Sequence, residues 1–199
     1  MTLWADRVLP FLVEKACRSS AILAERERWI PRAHGEVLEL GVGSGLNLGF
    51  YDRDRVARVV GIDPSAALLA RARPRAETAP VPVERVEAPA EELPLGERSF
   101  DSAVVTYALC SVGDPARALA EVRRVLRPGG KLIFVEHGLA PDPRVQRWQH
   151  RLTPLWRRIG GGCHLDRDHA RTLRDAGSER DELATGYTEG ARLLSHTYE

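Results

Sequence analysis

Apolar positions along the chain fall into short blocks with two different periods. Apolar runs at Val37–Leu40, Val56–Ile62, Val83–Glu87, Ser102–Thr106 and Lys131–Glu136 are bounded by Gly, Pro or Asp, and each predicts a strand. Helical spacing lies between them. A helix is expected to open at Leu46–Asp52, another to follow Pro64 and run through Leu69, and a third to cover Arg117–Leu126 until "RPGG" stops it. Upstream, Trp4, Val8, Phe11, Leu12, Ile22 and Leu23 stand among charges and predict two amphipathic helical segments ending near Pro31. Alternation of strand and helix over residues 37–136 is the pattern of a doubly wound, mostly parallel α/β sheet. After Gly177 the pattern changes. Asp181–Thr185 and Leu193–Tyr198 look like two late strands, an antiparallel hairpin at one sheet edge.

A length of 199 residues suits one domain spanning 1–199, with residues 1–30 as an N-terminal helical segment and 140–177 as a lid-like insertion. The formal net charge of +1 gives no global field to attract nucleic acid, which is not expected as a partner. The 3 cysteines, Cys17, Cys110 and Cys163, are odd in number and widely spaced, which argues against a disulfide framework and for a reducing compartment. No apolar run approaches the ~20 residues of a membrane span. Asp6 and Arg7 break any early apolar core of a signal peptide. A cytoplasmic location is the expectation, and a monomer the favoured state.

The stretch "VLELGVGSGLN" (37–47) carries the first chemical signal. Glycines at 41, 43 and 45 follow a buried strand, where α/β sheets bind ligands. A dinucleotide fingerprint would want glycine where Leu46 stands, and no Gly-Lys-Ser/Thr follows to make a phosphate loop. A plain tight turn is the bland alternative. Asp63 ends the second strand, 18 residues beyond Gly45, where a carboxylate can accept both hydroxyls of a ribose. Glu39 can accept from an ammonium group. A ligand with a ribose, an amino-acid end and no phosphate satisfies both, and S-adenosylmethionine is such a ligand.

"VLELGVGSGLN", "GIDPS", "AEELPLGERSFD" and "EVRRVLRPGGKLIFVEHG" together resemble, in order, the motifs of class I S-adenosylmethionine-dependent methyltransferases, over roughly residues 31–177. The resemblance implies a Rossmann-like fold and S-adenosylhomocysteine as product. It implies that Gly41, Gly43 and Gly45 let the backbone approach the donor, with Glu39, Asn47 and Pro64 in the same donor site. Asp63 would hold the ribose, Ala90 and Glu91 would lie by the adenine, and Thr106 and Leu109 would flank the methionine. Pro89 departs from the family, where many relatives have an Asp that touches the adenine amine. "TYALCSV" (106–112), "EHG" (136–138), "RWQHRLTPLW" (147–156) and "GGGCHLDRD" (160–168) look like the branch whose animal members methylate small thiols and sit on lipid surfaces. A small apolar acceptor, first of all a thiol, is therefore expected. The alternatives are a lipid or quinone-type acceptor, and a non-catalytic regulatory protein that binds S-adenosylmethionine.

Methyl transfer to a thiol asks for an aligned, dry site and at most a modest base, because a thiol of pKa about 8.5 is partly ionised at neutral pH. His137, after the fifth strand, is the first candidate, with strand-end capping as its structural alternative. His164 paired with Asp166, on a segment entered through three glycines, is the second; there Asp166 or Asp168 serves equally well as a helix cap. Cys110, His137, Cys163 and His164 are residue types that bind zinc, but their spacing matches no recognised pattern and no metal is expected. Residues 144–159 place Val145, Trp148, Leu152, Leu155, Trp156 and Ile159 among arginines. They read as a lid over the acceptor, as an interfacial helix making weak contact with a membrane surface, or as an ordinary packed helix kinked at Pro154.

Overall fold

The computed structural model describes residues 9–177, 185–187 and 195–198. Helices α1 (Leu9–Ala16) and α2 (Ser20–Trp29) precede β1 (Gly35–Leu40) and β2 (Val56–Asp63). Then come α3 (Ala66–Glu77), β3 (Val83–Glu87), β4 (Phe100–Thr106), α4 (Pro115–Val125) and β5 (Leu126–His137). Helices α5 (Pro143–Ile159) and α6 (His169–Asp175) lead to β6 (Thr185–Tyr187) and β7 (His196–Tyr198). Among the described residues, 7 strands form one sheet in the order β3-β2-β1-β4-β5-β7-β6. β7 is antiparallel to both β5 and β6, so it alone runs against the others. The expected Rossmann-like sheet with a late hairpin is present, although Asp181–Ala184 and Leu193–Leu194 lie outside the described residues, as do Trp4 and Val8.

The central strands are apolar on both faces, as parallel strands covered on both sides must be. On β2, Val59, Val60 and Ile62 are all buried, and they feed two separate cores on opposite faces of the sheet. Helix α4 starts where Asp114 accepts from the Arg117 amide at 3.0 Å, with Pro115 in its first turn. Its apolar face, Ala118, Leu119, Val122 and Val125, then packs into the core.

Three local expectations need correction. Leu46–Asp52 is not a helix; only a single 3-10 turn, Leu48–Phe50, forms there. Asn47 and Tyr51 are drawn down onto a buried carboxylate, Gly49 disfavours helix, and β2 begins a few residues later. "RPGG" does not form a separate turn between α4 and the fifth strand. The chain passes straight into β5 at Leu126, and the glycines fall within an irregularity where pairing steps from Phe100–Leu126 to Ser102–Lys131. Helix α3 runs past Leu69 to Glu77, its second half disguised by the polar run "RARPRAE".

Candidate active site at the carboxyl ends of the strands

The glycine loop leaves β1 and turns over the end of β2. The amides of Gly41 and Val42 both donate to the Ile62 carbonyl, and the Gly43 amide donates to Asp63 Oδ2 at 3.0 Å. Asp63 Oδ1 accepts from Ser65 at 2.9 Å. Burial pushes the Asp63 carboxyl above its ordinary value, against the pull of those two amides. The three glycines have different reasons. A Cβ on Gly41 would stand 2.3 Å from the Ala108 Cβ, and one on Gly45 would meet Leu48 and Ala72. These two serve packing. Gly43 has φ +55, and a Cβ there would find nothing nearer than the Gly41 carbonyl oxygen at 3.9 Å. Space for a ligand therefore opens above Gly43.

Beneath the loop lies a polar knot. Both oxygens of buried Glu39 are engaged, by Asn47 Nδ2 at 2.9 Å and by the Tyr51 hydroxyl at 2.8 Å. Burial, resisted by these donors and by Arg26, pushes the Glu39 carboxyl up to about 7. Asn47 Nδ2 also donates to Thr106 Oγ1, at 2.9 Å, so one side chain ties the end of β4 to the glycine loop. Arg26, from α2, donates to Asn47 Oδ1 and to Thr106 Oγ1 and lies 5.7 Å from the Tyr107 ring centre. Ala90 is buried in the core, Pro64 and Pro89 are exposed, and Glu91 accepts from the Asp114 amide at 3.0 Å.

The other end of the site is built on residues 107–112. Glu136, fully buried at the end of β5, accepts from three successive amides: Ala108 at 2.5 Å, Leu109 at 2.6 Å and Cys110 at 3.4 Å. Burial raises its pKa, opposed by His137 and those amides. The segment 160–168 lies against the same loop. The His164 amide donates to the Cys110 carbonyl at 2.9 Å, and Arg167 holds the carbonyls of Leu109 and Val112.

That docking brings Cys163 Sγ to 3.2 Å from His137 Nε2 and close to the Cys110 sulfur. The ligand-type atoms of Cys110, His137 and Cys163 all lie within 4.8 Å of one another. Spacing along the chain argues against such a cluster; the fold assembles it from two loops and the end of β5. The Cys110 hydrogen bond and burial hold the Cys163 thiol far above its ordinary value. Tyr107 (φ +51) lays its ring near-parallel to that of His137, with centres 6.4 Å apart. Its hydroxyl and His137 Nδ1 are both buried with no hydrogen-bond partner among the described residues.

The second histidine candidate is arranged differently from its expectation. Asp166 is 2.9 Å from His150 and 3.8 Å from His164, so His150 is its nearer partner. Burial, with Arg167 and Arg157 nearby, lowers the His164 pKa. Asp168 is the helix cap, accepting from Arg171 at 3.0 Å to start α6. The most deeply buried side chains of helix α5 are polar, while Val145, Leu152 and Trp156 are only half-buried. Gln149 bonds the backbone of Gly138 and Ala140, each at 3.0 Å, and Thr153 is buried beside it. Trp148, Leu155 and Ile159 face outward. Among the described residues no helix is long and apolar enough to cross a membrane.

Arg26, Tyr51, Tyr107, Glu136 and His150 were not among the sequence candidates. Glu136 carried a readable signal, since an acid inside the apolar run "LIFVEHG" repeats the placement of Glu39 in "VLELG". Arg26, inside "AERERW", reads as a solvated helix face and gave none.

A family model described as a methyltransferase domain matches residues 38–134. Human thiol S-methyltransferase TMT1B is 41% identical over 150 residues, which is 72% of this chain and 61% of that protein. Demethylmenaquinone methyltransferase of Thermus thermophilus is 33% identical over 140 residues, 70% of this chain and 61% of that one. The chain thus spans about 60% of the length of these curated relatives. In fold it is similar to a SAM-dependent methyltransferase from Methanosarcina mazei, with a TM-score of 0.65 and 24% identity over 85% of this chain and 92% of that one.

Proposed function

Because the chain belongs to the class I S-adenosylmethionine-dependent methyltransferases, we propose that it methylates the sulfur of a small apolar thiol. S-adenosylmethionine supplies a methyl group already activated on a sulfonium. The residues present fit that donor: space is open above Gly43, and the Asp63 carboxylate beside it is held by two backbone amides. Asp63 is the residue to hold the ribose. Thr106, tied to Asn47 and Arg26, and Leu109, buried in the core, stand in the chain between the glycine loop's partners and the sulfur-rich end.

The observation that carries the acceptor reading is that one loop serves both ends of the site. Ala108 packs against Gly41, and two residues later Cys110 joins His137 and Cys163. Sulfur, imidazole and the Tyr107 ring make a soft, largely buried cluster of the kind that suits a thiol. The likeness to human thiol S-methyltransferase TMT1B supports the same choice. His137 joins this cluster through its ring, whereas His164 braces it through its backbone amide.

The test is methyl transfer by the purified full chain to a panel of alkyl and aryl thiols, with the methyl thioether and S-adenosylhomocysteine identified by mass. Turnover with thiols supports the reading. Methylation of a ring carbon on a quinol, with thiols inert, would replace it by the second reading, which the likeness to demethylmenaquinone methyltransferase favours. Binding of S-adenosylmethionine without turnover of any acceptor would leave a regulatory binding protein.

A further inference from the structure

Two cysteines and a histidine stand together at the sulfur end of the site, and the reading above gives them no chemistry beyond softness. Their geometry is specific. Cys163 Sγ is 3.2 Å from His137 Nε2, and these two atoms and the Cys110 sulfur all lie within 4.8 Å of one another. Around a tetrahedral zinc ion, with Zn–S about 2.3 Å and Zn–N about 2.0–2.1 Å, ligand atoms stand roughly 3.5–3.8 Å apart. The cluster meets that spacing with small movements. Its members are held from different directions. Cys110 is fixed by Glu136 under its amide and by the His164 amide on its carbonyl, and His137 sits in the β5–β7 ladder.

We propose that Cys110, His137 and Cys163 bind one Zn²⁺ ion, whose fourth position takes the sulfur of the thiol acceptor. Two thiolates and a neutral imidazole suit zinc by ligand softness, and their two negative charges balance its two positive ones. A set of three protein ligands is the arrangement of a zinc site that keeps a position open. The acceptor half of this inference rests on the thiol reading above; the metal half does not.

The chemistry removes the need for a general base. A thiol that coordinates zinc is deprotonated, and its proton leaves to solvent. One electron pair of that sulfur forms the new S–CH3 bond. The donor's C–S bond breaks with its pair staying on the donor sulfur, which becomes neutral. The product thioether carries no charge, is a poor zinc ligand, and departs. Tyr107, stacked beside His137, flanks the cluster on one side.

Cobalt(II) is the probe. The reduced, metal-free full chain, titrated with Co²⁺, is expected to take up one ion. It should show a thiolate-to-metal charge-transfer band and the visible d–d bands of a tetrahedral site, and lose both on addition of Zn²⁺. Cys110→Ser, Cys163→Ser and His137→Ala should each weaken uptake by at least about a hundredfold, the upper end of what losing a supporting group costs. Cys17→Ser, which removes the thiol nearby but outside the set, should leave it unchanged. Because a variant can fail to fold, the wild-type chain gives a second reading: a small thiol should shift the cobalt bands, and Zn²⁺ should raise its melting temperature.

Absence of stoichiometric cobalt uptake by the wild type overturns the proposal, as does uptake that survives both cysteine variants. Thiol methylation at an undiminished rate by metal-free protein overturns it too, while leaving the thiol reading intact. Cobalt bands that ignore every thiol overturn the acceptor half. Cobalt bands that respond to thiols in a chain that methylates none would instead retire the thiol reading and keep the metal site.

Discussion

From Glu39 to Asp63 the glycine-loop end is made within one strand–loop–strand stretch, whereas Cys110, His137 and Cys163 come from two loops and the end of β5 and meet only in the folded molecule. The first end presents backbone: amides of Gly43 and Ser65 around one carboxylate, and at Gly43 a left-handed backbone with no side chain over it. The second presents side chains, fixed through Glu136 and Arg167. A ligand recognised by backbone needs residues that are missing side chains at set intervals, and this shows in a sequence. A ligand recognised by converging side chains needs only that the fold bring them together. Substitutions should therefore act separately on the two ends, except where one residue joins them.

The largest separation is expected from Gly43→Val. A branched side chain at φ +55 is strained and fills the space above the loop. Affinity for S-adenosylmethionine should fall by at least about a hundredfold by calorimetric titration, with strain alone costing about 1–3 kcal/mol. Cobalt uptake at the cysteine cluster should persist. Gly41→Val, which drives a side chain into Ala108, should disturb both ends; if it spares the sulfur end, the shared loop does not couple them.

Asp63→Ala is the next largest. Loss of hydrogen bonds to a charged group should weaken S-adenosylmethionine binding by about 1.5–3 kcal/mol while the protein stays folded. An unchanged titration in a folded variant would remove Asp63 from the donor site.

Glu39 offers a pH test of the joint between the ends. Its folded pKa of about 7 lies above the ordinary 4.5, so the native state holds this proton more tightly than the unfolded chain. Its contribution to stability is then full below pH 4.5 and is lost as pH rises through about 7. Glu39→Gln should remove that loss, a change on the order of 1–2 kcal/mol after relaxation around the buried group. Urea unfolding of both proteins at about pH 5 and about pH 8 measures it, and parallel pH profiles would show that Glu39 does not titrate as described.

The smallest effect belongs to a surface that touches neither end. Trp148, Leu155 and Ile159 face outward on α5 among Arg147, Arg151 and Arg158. Weak sedimentation with anionic vesicles is expected, about 1 kcal/mol for each arginine near the surface. It should be lost in high salt and in Arg147→Glu/Arg151→Glu. Binding that ignores salt would mean that the arginines are not its cause.

How much could be read beforehand follows from the same contrast. The five parallel strands were legible because buried strands announce themselves as apolar runs, and the glycine loop because its demands are local. The helix expected at Leu46–Asp52 failed because Asn47 and Tyr51 are drawn inward by Glu39, a tertiary pull that no helical spacing records. His137 was found because it ends a strand. The Cys110–Cys163 contact was not, since 53 positions separate the two residues and only the docking of 160–168 closes that gap. Partner choice was missed in the same way: Asp166 prefers His150, a helix away, to its near neighbour His164.

The reversed strand β7 has a consequence for the order in which the molecule comes apart. His137 pairs with Thr197, the Gly138 amide donates to the His196 carbonyl at 3.1 Å, and the Tyr198 hydroxyl holds Leu139 at 2.7 Å. The backbone that aims the His137 ring is thus fastened by a three-residue strand some sixty positions away, closed over a long loop, near the edge of the sheet. Opening β6 and β7 breaks few hydrogen bonds and leaves the parallel strands and the glycine loop intact. Amides at Gly138 and Thr197 belong to a less protected unit than those of Leu38 or Val60, and exchange with solvent sooner. On warming, the chain is set to forget its acceptor while it still recognises its donor.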